Sequence, residues 1–227
     1  MPRLCVPVCI SLLLLACGGE PASPQMPEAS EPEALTPIGP GPHDVAVLDM
    51  GKLGVVRIEL YPELAPKSVE LFTKLADEGF YDGTYFHRVL PGFMIQGGDP
   101  NTRNNDPRDD GKGGTSFSIP DEFSDYPHVR GTVSMANTGY RNSAGSQFFI
   151  VQQDSPGLDG DYTVIGRVVE GMETVDAIAA LEIDVYGRYG PRDRPYPVSA
   201  TIESARVERA DAASVAAADP PAKATGK

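Results

Sequence analysis

The sequence predicts a mainly β domain over about residues 44–209, a barrel or a sandwich with two helices packed on it. Three observations carry that prediction: many short apolar segments of strand period, only two stretches of helical period, and long Gly/Pro-rich connections between them. Val45–Met50 and Val55–Tyr61 are alternating runs around Gly51-Lys52-Leu53-Gly54, the pattern of a hairpin. Pro66–Glu78 reads as a helix: Pro66 stands near its start, Val69, Leu71, Phe72, Leu75 and Ala76 form an apolar stripe, and Gly79 closes it. Further strands are expected at 85–90, 93–98, 131–136, 146–152 and 162–169. A second helix, Met172–Leu181, follows Gly171 with Val175, Ile178, Ala179 and Leu181 on its apolar side, and the last strand covers about Ala200–Glu208. Residues 99–130 and 182–197 read as long loops, and no internal repeat is visible.

Charge and cysteines narrow the function classes. The formal charge is −13, with 19 basic against 32 acidic residues, whereas a protein that neutralises phosphates needs a basic face. Nucleic acid is therefore not an expected partner. Cys5, Cys9 and Cys17 are the only cysteines, so residues 18–227 contain no disulfide framework, thiol nucleophile or cysteine metal site. His43, His87 and His128 stand far apart without metal-ligand spacing. Neither metal nor cofactor is expected, and the domain is expected to be a monomer.

The N-terminus reads as an address label. Met1-Pro2-Arg3 precedes a mostly apolar run, Leu4–Ala16, shorter than the roughly 18–20 residues needed to span a bilayer. It ends Leu14-Leu15-Ala16-Cys17-Gly18, which resembles the lipobox of bacterial lipoproteins, where the cysteine is lipidated and becomes the mature N-terminus. An ordinary signal peptide or an uncleaved anchor is the alternative. Residues 18–43 hold seven prolines and four glutamates with no Lys or Arg, too little apolar surface to offset ordering entropy. The expected organisation is a signal peptide (1–16), lipidated Cys17 with a Pro/Glu-rich disordered tether (17–43), the domain (44–209) and a disordered Ala-rich tail (210–227). The expected location is the bacterial cell envelope, on a membrane held through the lipid anchor.

Two dense segments carry the chemistry. Tyr85–Asp99 and Gly131–Val151 set Arg88, Gln96 and Gln147, side chains that hydrogen-bond amides, among aromatics and methionine. No Ser-His or Cys-His pair stands beside them. That combination suits gripping a peptide and bending one of its bonds, not cutting it. Alternation puts Gln147 and Phe149 on one face and Phe148 and Ile150 on the other, so one pair can line a groove while the other fills a core. Strict alternation separates the neighbours Phe93 and Met94. His87 alternates away from Arg88 and reads as a buried structural histidine rather than a base.

In order along the chain, Ala65-Pro66-Lys67-Ser68-Val69-Glu70-Leu71-Phe72, Phe86-His87-Arg88 through Gly97-Gly98-Asp99, Ser134-Met135-Ala136-Asn137, Gly145-Ser146-Gln147-Phe148-Phe149-Ile150, and Leu158-Asp159-Gly160 with Tyr162–Val168 resemble cyclophilin-type peptidyl-prolyl cis-trans isomerases. Each alone is weak; the ordered set is specific. The resemblance implies a closed eight-stranded antiparallel β-barrel with helices at its ends, and proline-containing polypeptides as clients. It implies that Arg88 is the essential arginine and that Phe93, Met94, Phe149 and Leu158 form the proline pocket, with Tyr162 beside it. It implies that Gln96 and Gln147 bond the substrate backbone, and that Ala136, Asn137 and Thr138 are the edge that pairs with it. A module that binds proline segments without catalysis is the other reading. The chain departs from the family pattern at Gly157, where many members have tryptophan, and at Tyr162, where eukaryotic members often have histidine. It also departs at Tyr140–Ala144, one residue longer than usual. Pro100–Asp110, with Asp106, Asp109 and Asp110, reads as a solvated loop.

Overall fold

A computed structural model describes residues 42–104, 106–188, 192–195 and 200–210. The signal peptide, Cys17, nearly all of the tether and all but the first residue of the tail lie outside the described residues. The chain runs β1 (Val45–Asp49), β2 (Val55–Leu60), α1 (Pro66–Asp77), β3 (Arg88–Leu90), β4 (Met94–Gly97), β5 (Thr132–Met135), β6 (Phe148–Val151), β7 (Val164–Glu170), α2 (Met172–Ala179) and β8 (Ser204–Glu208). Short 3-10 turns at Gly51–Leu53, Pro100–Arg103, Pro107–Asp109 and Pro156–Leu158 break up the connections.

These eight strands form one antiparallel sheet in the order β3-β4-β6-β5-β7-β2-β1-β8. The eight strands expected from the resemblance are present, but among the described residues no ladder closes β3 onto β8. Both edges are occupied. The Val89 N–H on β3 donates to the Asp193 carbonyl (2.7 Å). On β8, Ala205 N–H donates to the Asp82 carboxylate (2.9 Å) and Val207 N–H to that of Asp77 (3.3 Å). Satisfied edge groups have nothing left to offer another strand. The chain before each edge strand makes the seam instead: Tyr85 bridges Thr201, and Phe86 N–H donates to the Ala200 carbonyl (3.1 Å). Several expected strands are therefore shorter than their apolar runs, because those ends are irregular chain.

Alternation along the strands separates two apolar clusters. Ile58, Leu60, Phe86, Ile95, Met135, Phe148, Ile150 and Ile165 are fully buried in the main core. Phe72 from α1, Tyr81 and Phe86 pack edge-on against Phe148 or tilt against each other, with centroids 5.2–5.9 Å apart. α1 closes this core with Val69, Leu71, Phe72, Leu75 and Ala76, and α2 contributes Val175, Ile178 and Ala179. α1 has no side-chain cap from its own N-cap residue, Ala65. Glu122 supplies one from a distant loop, accepting from the backbone N–H groups of Lys67 (3.1 Å) and Ser68 (2.8 Å) and from the Ser68 hydroxyl (2.7 Å). The opposite face of β4, β5 and β6 carries the second cluster: Met94, Ala136, Phe149 and Val151, with Leu90, Phe93, Leu158 and Tyr162 packed on it.

Candidate active site

Register brings the site together. Arg88 pairs with Gln96 across β3–β4, Gln96 with Phe149 across β4–β6, and Phe149 with Ser134 across β6–β5. Paired residues point to the same face of a sheet, so residues up to 61 positions apart in sequence form one row on the face away from the main core. The next row is Leu90, Met94 and Val151. Phe93 joins Met94 on that face because it precedes β4. It sits in the turn after Gly92, whose φ is +76°, where strand alternation does not apply.

A hollow of about 140 Å³ opens on this face, lined by Arg88, Phe93, Met94, Gln96, Ala136, Asn137, Phe149, Leu158 and Tyr162. Of the eleven residues expected at the substrate site, these nine lie together; Thr138 and Gln147 line a neighbouring hollow of about 640 Å³ with the chain 111–118. The two hollows share Gln96, Ala136 and Asn137. One side of the pocket wall is built of packed rings. Tyr162 meets Phe149 edge-on at 5.2 Å, and the His128 ring stacks against Phe149 at 6.1 Å. Asp159 accepts from the His128 backbone N–H (2.7 Å) and lies 2.9 Å from Nδ1, which therefore donates to it; Nε2 is left to accept from the Ser134 hydroxyl at 3.0 Å. Burial lowers the His128 pKa despite Asp159, keeping the ring neutral.

A line of hydrogen bonds holds the polar rim. Arg88 Nη1 donates to Gln96 Oε1 (3.4 Å), Gln96 Nε2 to Gln147 Oε1 (2.9 Å), and Gln147 Nε2 to the carbonyls of Gly111 (3.1 Å) and Gly113 (2.7 Å). Gln147 spends both amide hydrogens on that loop, while Gln96 keeps one donor and both amide oxygens keep a free lone pair. The Asn137 side chain is likewise occupied, donating to the Asp161 carbonyl (3.1 Å) and accepting from Gly139 N–H (2.9 Å). Its main chain is the part left toward the hollow.

The loop behind Gln147 is folded around one buried carboxylate. Asp99 accepts from the N–H groups of Asn101, Gly111 and Gly113. Close packing explains two of the glycines: a Cβ at Gly113 would stand 2.1 Å from the Asp99 carboxylate, and one at Gly98 (φ +82°) 2.5 Å from the Ser146 carbonyl. The expectation of a solvated Pro100–Asp110 loop needs correction at its end. Asp110 is buried, accepts from Tyr85 Oη and pairs with Arg194 Nε at 2.7 Å. Asp106 and Asp109 are half-buried, Asp106 paired with Arg108 and Asp109 accepting from the Asn104 amide. Asp110 and Arg194 are 84 residues apart in sequence, so no local pattern announced their pairing.

His87 is buried, and neither ring nitrogen has a hydrogen-bond partner. Burial pushes its pKa well below the usual histidine range; Asp99 opposes that shift and the Arg88 charge adds to it. It lies beneath the site and does not line the hollow. Among the described residues no group of histidine and acidic side chains has the arrangement of a metal site. The residues that sequence reasoning missed are His128, Asp159 and Asp99, which support the wall and rim. Only the Gly97-Gly98-Asp99 string carried a signal, a tight turn ending in a carboxylate.

An apolar pocket with amide-bonding groups along its rim thus lies on one face of a curled antiparallel sheet. Residues 45–207 match the model of the family described as cyclophilin type peptidyl-prolyl cis-trans isomerase/CLD, and the chain belongs to that family. Its enzyme class is that of the family, peptidyl-prolyl cis-trans isomerase. The chain is similar to a probable peptidyl-prolyl cis-trans isomerase of Brucella suis, 50% identical over 142 residues, 60% of this chain and 72% of the relative. It is also similar to a peptidyl-prolyl cis-trans isomerase of Synechococcus elongatus, 42% identical over 146 residues, 61% of this chain and 94% of the relative. Among solved structures, the Cryptosporidium parvum cyclophilin-type isomerase determined in the presence of the dipeptide Ala-Pro superposes with a TM-score of 0.63 at 29% identity, covering 72% of this chain and 98% of that one.

Proposed function

We propose that the chain accelerates X–Pro isomerisation in exported polypeptides by using Arg88 to stabilise the twisted prolyl amide. One observation carries this reading: the Arg88 guanidinium stands in register with Gln96 and Phe149 at the rim of the apolar hollow, tied to Gln96. An X–Pro bond prefers trans by only about 0.5–1 kcal/mol yet isomerises in tens to hundreds of seconds, because conjugation sets a barrier of about 18–20 kcal/mol. Twisting the bond returns the lone pair to nitrogen, which becomes a hydrogen-bond acceptor. A donor aimed there stabilises the twisted form more than the planar one, and one fixed beforehand needs no reorganisation. Guanidinium suits this role because it stays charged and its fork is rigid.

In this reading the proline ring occupies the hollow against Phe93, Met94, Phe149 and Leu158, with Tyr162 at its rim. The main chain of Ala136, Asn137 and Thr138 meets the substrate backbone, and the free valences of Gln96 and Gln147 meet its amides. No proton leaves and no covalent bond forms. The Ala-Pro dipeptide present with the Cryptosporidium isomerase supports proline-containing clients. We further propose that Cys17 is lipidated and that the proline-rich stretch after it tethers the domain to the envelope membrane; the apolar Leu4–Ala16 run and the Leu-Leu-Ala-Cys sequence support this. The test of the isomerase reading is a prolyl-isomerisation assay on the purified protein, wild type against Arg88→Ala. Equal rates in a folded variant refute the mechanism.

A further inference from the structure

A third hollow, of about 370 Å³, adjoins the proposed proline pocket and shares Asn137, Leu158 and Tyr162 with it. Its floor is unusual. The Arg141 guanidinium lies over the Phe123 ring at 4.5 Å, with its nitrogens 3.8 Å from Asp121 and 4.0 Å from Asp161. Both separations exceed hydrogen-bonding distance. The Asp121 side chain is nine-tenths buried, yet among the described residues its carboxylate accepts no hydrogen bond. Asp121 lines the hollow, its oxygens keep some access to solvent and Arg141 is its ion-pair partner, so its hydrogen-bonding positions remain open to a ligand. Arg141 is two-thirds exposed, so it covers the carboxylates without filling their valences.

We propose that this hollow takes the basic side chain, lysine or arginine, of a client residue within about two positions of the isomerised proline. Asp121 is the principal acceptor, Asp161 the second, and Arg141 swings aside toward solvent. The inference rests on the isomerase reading for the placement of the proline. Three facts fix the sign of the ligand. Two carboxylates face one guanidinium, the better-buried carboxylate lacks donors, and the whole chain carries −13, so its field attracts cations. Arg141 on Phe123 shows that an aromatic face and two carboxylates already hold one guanidinium here. Access comes from Gly157, which lines the hollow and around whose Cβ direction no atom lies within 4 Å.

The experiment compares kcat/KM for a set of proline peptides carrying Lys, Ala or Glu at each of the two positions on either side of proline. Wild type is expected to favour Lys over Glu about tenfold at one position, since the exchange turns a modest attraction into a repulsion. The ratio should shrink in high salt. Asp121→Asn should bring it to within about twofold of unity, and Arg141→Ala should raise it, because the competing cation is gone. Gly157→Trp, which narrows the hollow from its open side, should also erase the ratio and decides the matter if Asp121→Asn does not fold. A ratio near unity at every position in wild type overturns the proposal. So does a preference for Glu, which would make Arg141 the binding group, or a ratio unchanged in folded Asp121→Asn or, where that variant does not fold, in folded Gly157→Trp. If no peptide is turned over, it is the isomerase reading that fails. The same Lys, Ala and Glu peptides are then titrated for binding, and the Lys-to-Glu affinity ratio decides the hollow by the same criteria.

Discussion

Arg88 and His87 are neighbours with opposite fates: Arg88 opens β3 on the rim face, while His87, the residue before the strand, turns inward. Arg88 is exposed on the rim, while His87 is buried against Gly111. Arg88→Ala is expected to lower isomerisation on the order of 10²-fold, the typical effect of removing one preorganised donor, with little change in stability. Arg88→Lys should rescue little, since an ammonium does not reproduce the fork. Rates in cis-proline peptide assays, beside thermal melts, check both. The same stretch predicts a pH profile. The His87 and His128 pKa values are both depressed by burial, so both rings are already neutral above about pH 6.5, and the proposed step moves no proton. Activity is expected to be nearly flat from about pH 6.5 to 8.5. A bell-shaped profile abolished by His87→Gln would make His87 a catalytic group instead.

At the scale of elements, the site depends on pieces that reach across the sequence. Glu122 caps α1 from 54 residues away and satisfies the hydroxyl of the fully buried Ser68. Glu122→Ala is expected to destabilise the fold by about 2 kcal/mol, the sum of a lost helix cap and a buried hydroxyl left unsatisfied. Urea denaturation measures this, and a midpoint equal to wild type would mean that water replaces the carboxylate at no cost. The strands themselves were legible from alternation: Phe148 and Ile150 in the core, Phe149 and Gln147 toward the hollows. The turn before β4 was not, because Gly92 takes Phe93 out of the strand and alternation applies only inside one.

At the scale of the molecule, His43 fastens the point where the chain reaches the domain. Its Nε2 lies 2.9 Å from Glu63 and its Nδ1 3.2 Å from Glu59, and the ring packs edge-on against Tyr61 at 5.4 Å. Burial alone would lower its pKa, but the hydrogen bonds and charges of the two glutamates outweigh it and the pKa is raised. A raised folded-state pKa means that the folded protein binds the proton more tightly than the unfolded chain. The stabilisation is therefore full below about pH 6.5 and is lost as pH rises through the higher folded value. Melting temperatures of wild type minus His43→Gln should accordingly fall between about pH 6 and 8.5. A difference independent of pH would remove the protonated latch. The proposed anchor is tested on the same scale: Cys17→Ser should leave an active domain that is released, or held as unprocessed precursor. The sequence offers no basic amphipathic helix to bind lipid, and the negative charge opposes anionic headgroups. If Cys17→Ser is processed normally and still sediments with membranes after a high-salt wash, a protein partner must hold it.

The sequence by itself determined the mainly β class, both helices, the family resemblance and the residues that line the small hollow. These are properties of local period and ordered motif, which survive without knowledge of neighbours. Only the tertiary structure decided that Gln96 and Gln147 spend bonds on each other and on the 111–113 loop, and that Asp110 leaves solvent to pair with Arg194. It alone showed that the sheet edges are sealed by Asp77, Asp82 and Asp193 rather than by a β3–β8 ladder. It also brought Asp121, Arg141 and Asp161 around one hollow. Each of these is a polar partnership between residues distant in sequence. Hydrophobic period records which face is buried, but a carboxylate or an amide reads the same along the chain whether its partner is water or a side chain folded back from 80 residues away.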